Sequence, residues 1–567
     1  MRVAQRENEQ WVEEQLKPLP FELQRKFRAE YNKSQTMYSA NTQLRQSVDT
    51  IRKVMPQGFA GIPLDYGEDD LRSMAKDCSE HCHQRAKKFP YLKQRLIPLT
   101  AFPVNGFSSS SKPVNEYVND IVMLRNLYVG LKGYAESKDV ALPNVANPIG
   151  SEKAIGSMSE EAIIKHARFL LTTIAKLKDY SWWLRQLRKA HNRKVEKACH
   201  AANIVNKYWG IYASDISVNR RAGQIARNQK MLEEHEAVNE SGDRFTLAEL
   251  SDKNVSNPVN RRNELMVRIR GTEDFAKQEG LVGVFLTITC PLKYHRSFSK
   301  SGEPNPKWEG FTPKDGQDYL NILWQRIRAA FQREQIYPLG IRVAEPQHDG
   351  TPHWHLLLFT EANQVDEMIS ICRDYAMRED GNEPGAEKYR FDAKLIDAKK
   401  GSATGYIAKY ICKNIDGSNL ESGIYGEDPI EAAQRVETWR SVWGIRQFEF
   451  IGGCSVTTWR ELRRLSKESE LPEEVEAIRH AADESDWCKF NQLMGGFFCK
   501  RKEQTLRPHY SFKFDASTGE VKESKYGDSF IERLVGLKYK AQTFITRLHQ
   551  WSVEKIGTAR VAPLGVL

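Results

Sequence analysis

The spacing of apolar and polar residues divides the chain near residue 281. Upstream, apolar positions recur at helical intervals within highly charged sequence, from about 8 to 100, from 160 to 208 and from 217 to 240. Pro18, Pro20, Pro56 and Pro63 break the first stretch, while Ser108–Pro113 and the segment holding Pro148, Gly150 and Gly156 read as connections. Downstream the period switches. Val282 to Thr289 is a β-branched, apolar run that reads as a buried strand ended by Cys290 and Pro291. Spacing through Tyr319, Leu320, Leu323, Ile327 and Phe331 predicts a helix over 315–335. Gly340–Glu345 and His353–Phe359 read as a hairpin turning around Asp349 and Gly350. A helix over 363–378, an alternating strand through Tyr389, Phe391, Ala393 and Leu395, a helix over 402–415 and a strand at Gln447–Ile451 complete the series. Ser402 suits the N-cap of the last helix and Gly417 its end.

This order predicts an α+β architecture: a central five-stranded, mainly antiparallel sheet with helices packed on it. A large, mainly helical N-terminal region and a small C-terminal domain would flank it. The expected divisions are 1–270, a helical region that binds DNA; 271–465, the sheet domain; and 466–567, an accessory region. In the accessory region Tyr510, Phe512 and Phe514 alternate as on a strand, and 529–553 carries a helical pattern.

Composition narrows the class only a little. A chain of 567 residues exceeds what one core supports, so several domains are expected. Lys plus Arg outnumber Asp plus Glu by 84 to 74, a net +10 that suits nucleic acid without requiring it. No run approaches the roughly 18 apolar residues of a membrane helix. Met1 to Glu7 lacks the apolar core of a secretion signal, so a cytoplasmic protein with no membrane partner is expected. Nine cysteines, an odd count, argue against a disulfide framework. Cys78, His81, Cys82 and His83 lie close together on a helical pattern, but no second pair completes a zinc site, which favours buried thiols.

The chemistry lies in the second half. His353 and His355 share one face of their strand, with Trp354, Leu356 and Leu358 on the other. Two unpaired imidazoles in the middle of an apolar sheet would be costly, so a metal or acidic partners are expected. Glu345, ending the neighbouring strand, is the best third ligand, and its carboxylate turns the set toward Mg²⁺ or Mn²⁺. Register decides whether it can serve. A two-residue turn at Asp349 and Gly350 would pair Glu345 with Trp354, on the wrong face. A three-residue loop or a bulge brings it opposite His353 or His355. His348 is the fallback ligand.

Tyr406 and Tyr410 are neighbours on one helical face. Two core aromatics would be the plain reading, but Ala403, Ile407 and Ile411 already supply an apolar stripe. Lys409 and Lys413 border the tyrosines with positive charge. A phenol can act as a covalent nucleophile, and a metal can stabilise charge on the phosphate it attacks. Histidines and tyrosines together therefore point to an enzyme that breaks a DNA strand and stays attached to it. Lys409 and Lys413 are expected to contact DNA, as are Arg220 and Arg221. These arginines follow a segment, Trp182 to Lys194, in which aromatics mix with cations, as binding to single strands requires. The alternative for that segment is a solvated helix face over buried tryptophans.

Phe285–Thr289, Glu345–His355 and Tyr406–Tyr410 resemble, in order and spacing, the three motifs of the HUH endonucleases that initiate rolling-circle replication. More narrowly, the chain resembles the replication gene A proteins of temperate tailed phages, with supporting stretches at Phe245–Leu250, Val255–Pro258 and Phe448–Gly453. The similarity runs from about 205 to 465. It implies an HUH sheet, a divalent metal, and a nick at the phage origin in single-stranded or supercoiled DNA. One tyrosine would keep the 5′ phosphate and leave a 3′ hydroxyl as primer, and the second would cut the regenerated junction. It also implies a host helicase and polymerase as partners, in the bacterial cytoplasm. Two other readings stay open. An HUH transposase or relaxase is one, although a relaxase's fused helicase would bring a GxxxxGK[ST] motif and none is present. A non-enzymatic DNA-binding protein is the other, and it would not need the histidines and tyrosines together.

Overall fold

The structure, a computed structural model, describes residues 2–55, 61–89, 96, 114–143, 159–397, 399, 401–418, 426–466, 470–514, 519, 521–526 and 531–557. The connections expected at Ser108–Pro113 and around Pro148 to Gly156 lie outside these residues. The chain divides into two compact units, residues 1–198 with 512–533 and residues 199–511 with 534–567. Residues 199–270, assigned above to the N-terminal region, belong to the unit that holds the sheet.

The first unit is built on helices. Glu68–Lys87, Val118–Glu136, Glu160–Leu177 and Tyr180–Ala201 turn their apolar stripes into a core that includes Cys78, Cys82, Leu124, Leu170 and Trp183. The single helical pattern expected from 160 onward is interrupted at Asp179. Its carboxylate accepts the Ser181 N–H at 2.7 Å and starts a new helix.

The sheet of the second unit has strands β1 (Val282–Thr289), β2 (Leu339–Pro346), β3 (Pro352–Thr360), β4 (Phe391–Leu395) and β5 (Phe448–Ile451). Their order is β4-β1-β3-β2-β5, and every pair is antiparallel. The α+β fold is thus the one the apolar pattern predicts. Five helices matter to the site: α1 (Pro258–Gln278), α2 (Pro313–Arg333), α3 (Val365–Met377), α4 (Ala403–Ile415) and α5 (Pro429–Trp443). Alternation along the strands assigns them to faces. Val284, Leu286, Trp354, Leu356 and Leu358 pack with α2, α3 and α5. Phe285, Ile341, Val343, Leu357 and Phe359 point the other way and pack with α1 and α4. The histidines share that second face with the tyrosine helix.

Four regions depart from expectation. Helices α1 and α5 have no counterpart in the reading above. Pro258 and Pro429, each at a helix start behind an Asn257 or Asp428 cap, mark their beginnings. The pattern over 217–240 ends as helix at Glu233, and His235–Asn239 is a strand. The tail is sheet, not helix: Glu532–Tyr539 and Gln542–Ile545 pair across a turn at Lys540 and Ala541. Trp551–Lys555 pairs with His235–Asn239. Gly536 permits the close pairing of the first two, since a Cβ there would lie 1.9 Å from the Phe544 carbonyl. No helix among the described residues is long and apolar enough to cross a membrane.

Candidate active site

The hairpin loop sets the register on which the site depends. The Gln347 N–H donates to the Thr351 carbonyl at 2.9 Å, leaving a three-residue loop of His348, Asp349 and Gly350. Gly350 takes a positive φ of 81°, which that loop type needs at its last position. Buried Asp349 fixes the loop from inside by accepting the N–H groups of Thr351 (3.0 Å) and Arg296 (2.9 Å). Burial alone would raise its carboxyl, but His295, His348 and the Thr351 amide outweigh it and hold the group far below its ordinary range. From α5, the Trp439 indole donates to the Gly350 carbonyl at 2.7 Å. The result places Glu345 directly opposite His353 and Val343 opposite His355.

Glu345, His353 and His355 therefore converge, with one donor atom from each lying within 4.8 Å of the others. Glu345 Oε2 is 3.1 Å from His355 Nε2 and 3.5 Å from His353 Nε2. Its Oε1 is 2.6 Å from Lys413 Nζ. Burial would raise Glu345, yet Lys413 and the two imidazoles hold it well below the usual carboxylate range. Burial and the neighbouring His355 push His353 down to about 3, so its ring is neutral at ordinary pH. On the other side Thr287 of β1 pairs with His355 across the strands, and its hydroxyl lies 3.1 Å from Nδ1. A ring steadied at Nδ1 offers Nε2 as a lone pair, the arrangement a metal-ligating histidine requires. His353 Nδ1, shielded from solvent, has no hydrogen-bond partner among the described residues. Three donors facing one another, buried Glu345 and His355 with half-buried His353, fit a divalent cation.

Helix α4 lies over this cluster. Ser402 caps it through the Gly405 N–H at 3.0 Å, and Ala403, Ile407 and Ile411 are buried beneath it. The Tyr410 ring sits 4.1 Å from the His355 ring. Phe285 stacks on Tyr410 at 5.5 Å and meets Tyr406 edge-on at 4.7 Å. Lys409 Nζ lies 5.3 Å from the Tyr406 ring centre and 4.9 Å from that of Tyr410. Burial first, then the charge of Glu345, pushes the Tyr410 phenol well above its ordinary value. Tyr406 is exposed and borders a cavity of about 690 Å³ whose walls include Lys394, Leu395, Gly401 and Lys409.

Other expected residues fall elsewhere. His348 turns its Nε2 to the Ser297 carbonyl at 3.2 Å and stays out of the cluster. Lys413, expected to contact DNA, is buried with its ammonium against Glu345. Arg221 makes two bonds to Glu437 of α5, at 3.0 and 2.7 Å, and half-buried Arg220 precedes it on the same helix. Trp183 is buried with its indole donating to the Leu177 carbonyl at 2.6 Å, and Trp182 packs edge-on against it. These rings belong to a core, the alternative weighed for that segment. Cys78, His81, Cys82 and His83 form no converging donor group among the described residues; both thiols are buried.

Two residues were missed. Thr287 alternates with Phe285 on β1, but only the pairing of strands shows which histidine it meets. Glu273 of α1 is buried and accepts the N–H groups of Ala403 (3.1 Å) and Thr404 (2.8 Å), together with the Thr404 hydroxyl (2.6 Å). A carboxylate thus already holds the positive end of the tyrosine helix. Nothing local in the sequence marks it, since 130 residues separate Glu273 from Ala403.

Fold and site together define an α+β protein in which two histidines and a glutamate on an antiparallel sheet face two tyrosines on an overlying helix. Residues 153–418 match the family model described as bacteriophage replication gene A protein. The chain is 40% identical over 387 residues to the replication gene A protein of Escherichia phage 186, covering 66% of this chain and 54% of that protein. It is 36% identical over 398 residues to the replication protein of Haemophilus phage HP1, covering 69% and 50%. A probable replication endonuclease from a prophage-like region of Salmonella paratyphi A is 33% identical over 382 residues, covering 64% and 47%. Over these residues the chain is similar to the bacteriophage replication gene A protein family. It spans about half the length of the curated relatives it matches. No solved structure matches it.

Proposed function

We propose that the chain is a site-specific single-strand DNA endonuclease and strand transferase that starts and ends rolling-circle replication of phage DNA through a 5′-phosphotyrosine. The observation that carries this reading is the close packing of the Tyr410 ring against that of His355, which brings a nucleophile-bearing helix against the donor cluster. The endonuclease name of a relative supports strand cutting, and the family supports a replication role.

In this reading the hydroxyl of Tyr406 or Tyr410 attacks the scissile phosphorus. A tyrosine–phosphorus bond forms as the bond to the 3′ oxygen breaks; the phenol gives up its proton and the leaving oxygen gains one. One phosphoester replaces another, so the strand can be rejoined when a 3′ hydroxyl attacks the phosphotyrosine. His353, His355 and Glu345 would hold Mg²⁺ or Mn²⁺, which when bound supplies positive charge to the scissile phosphate. Lys409 adds a cation beside both rings. Two phenols one turn apart allow one site to serve both cuts. The substrate is origin DNA, single-stranded or supercoiled, and a host helicase and polymerase in the bacterial cytoplasm complete the cycle.

The test is to incubate the protein and Mg²⁺ with single strands tiled across the whole replicon that encodes it. The expected product is a covalent adduct that survives denaturation and maps by mass spectrometry to Tyr406 or Tyr410. Strands that bind without any adduct would reject the nickase in favour of a non-enzymatic DNA-binding protein.

A further inference from the structure

Tyr406, Tyr410 and Lys413 fall on one face of α4, because residues three and four apart are neighbours on a helix. A lysine on that face of a DNA-cutting protein would ordinarily reach for phosphate. Lys413 instead lies buried, with its ammonium 2.6 Å from Glu345 Oε1, while Oε2 faces the two histidines. The ring of Tyr212 is 5.0 Å from Nζ, and the Tyr212 hydroxyl donates to Glu427 at 2.6 Å. Swinging the lysine out to a bound strand would leave Glu345 without its cation in the interior, a costly change.

Charge arithmetic gives this pair a consequence. Imidazoles that ligate a metal do so in neutral form. Glu345 contributes one negative charge and Lys413 one positive, so the site sums to zero, whereas the same ligands without the lysine would sum to minus one. A divalent cation therefore leaves two uncompensated positive charges in a buried pocket, against one if Lys413 were absent. Unbalanced charge in a medium of low dielectric is disfavoured, and each DNA phosphate brings one negative charge.

We propose that Lys413 is a charge-setting and positioning residue that keeps the divalent cation weakly held until a DNA phosphate enters the site. Metal and strand then bind cooperatively, and by linkage each strengthens the other by the same factor. This rests on the metal-centre reading above. It also assigns the two oxygens of Glu345 separate tasks, Oε1 to the lysine and Oε2 to the side facing the histidines.

The test is a Mn²⁺ titration of metal-free protein read by electron paramagnetic resonance, with and without single-stranded oligothymidylate. Without DNA, Lys413→Met is expected to bind Mn²⁺ at least about ten-fold more tightly than the unaltered protein, and Lys413→Arg about as weakly as it. Oligothymidylate should tighten Mn²⁺ binding in the unaltered protein and in Lys413→Arg, and by less in Lys413→Met. Equal or weaker binding by Lys413→Met, with a native melting profile, overturns the inference and reduces the lysine to holding Glu345 in place. If that variant does not fold, the other two proteins still decide, since Mn²⁺ affinity indifferent to DNA in both overturns it. Failure of the unaltered protein to bind Mn²⁺ under either condition would overturn the metal centre itself, an outcome distinct from the others.

Discussion

Tyr410 lays its ring 4.1 Å from that of His355, whereas Tyr406, one turn nearer the helix start, leaves 38% of its surface exposed beside a cavity. The two phenols share a helix face and a supporting ring, Phe285, yet they occupy different surroundings. One is packed against the donor cluster and the other is open to an incoming strand. A site of this form needs the cluster for chemistry and the exposed surface for grip, and the two contributions can be separated.

Removing a donor should stop the chemistry and spare binding. His355→Ala is expected to lower adduct formation by roughly a hundred-fold or more, because the charge that the ligand set would place on the scissile phosphate stabilises the transition state. Single-stranded DNA binding, measured by fluorescence anisotropy without divalent ions, where linkage to the metal plays no part, should stay within about two-fold. Chelation of divalent ions with EDTA should reproduce the loss in the unaltered protein, and near-normal nicking in EDTA would sink the metal centre. Glu345→Ala should behave as His355→Ala does, or more mildly.

The hairpin shows how far the sequence could be read. Alternation alone put His353 and His355 on one face, and helical spacing put Tyr406 and Tyr410 together, since both relations are local and periodic. The position of Glu345 was legible only as a condition on loop length. What satisfies the condition is non-local: Asp349 is buried and bonded to the Arg296 amide, and Trp439 donates to Gly350. Lys413 looked like a DNA cation because its sequence neighbours do not reveal that Glu345 lies over it. The C-terminal strands carry a helical pattern in sequence for the same reason, because Trp551–Lys555 finds its partner near residue 235.

The depressed His353 gives the metal-free protein a pH signature. Its value falls from the usual 6.5 when unfolded to about 3 when folded, so protonation favours the unfolded chain. The contribution is fully present above pH 6.5 and is lost as pH falls toward 3. By pH 5 the loss amounts to roughly 2 kcal/mol at most. Thermal melts of apo protein between pH 7 and 5 should therefore drop more steeply for the unaltered protein than for His353→Gln. Parallel curves would show that His353 does not titrate as its burial implies.

Grip should depend on which cations remain free. Lys409 is exposed between the tyrosines, while Arg221 is committed to Glu437. Lys409→Ala is expected to weaken single-strand binding and to reduce the log–log salt slope by about 0.7, the value of one phosphate contact. Arg221→Ala should leave the slope unchanged and lower the melting temperature slightly. If the slope falls with Arg221→Ala instead, the Glu437 pair must open when DNA arrives.

The tyrosines provide the most exacting test, because their surroundings predict different behaviour from chemically identical groups. The positive end of α4 does not distinguish them: Glu273 and Ser402 already take the N–H groups of Ala403, Thr404 and Gly405. Accessibility does, and it favours Tyr406 for the first cut. Tyr406→Phe and Tyr410→Phe should each impair complete strand transfer, and at least one should still form a 5′-phosphotyrosine on an origin oligonucleotide. The double variant should form none. Where Tyr410 acts alone, in Tyr406→Phe, the phenol is still mostly protonated at pH 10, since burial and Glu345 hold it well above its ordinary value. Its adduct rate should then keep rising with pH, by up to about ten-fold per unit, without levelling near 10. A plateau below pH 9 would show that another group, or a bound cation, takes the proton. An adduct formed by the double variant and mapped to another residue would refute the assignment of both tyrosines.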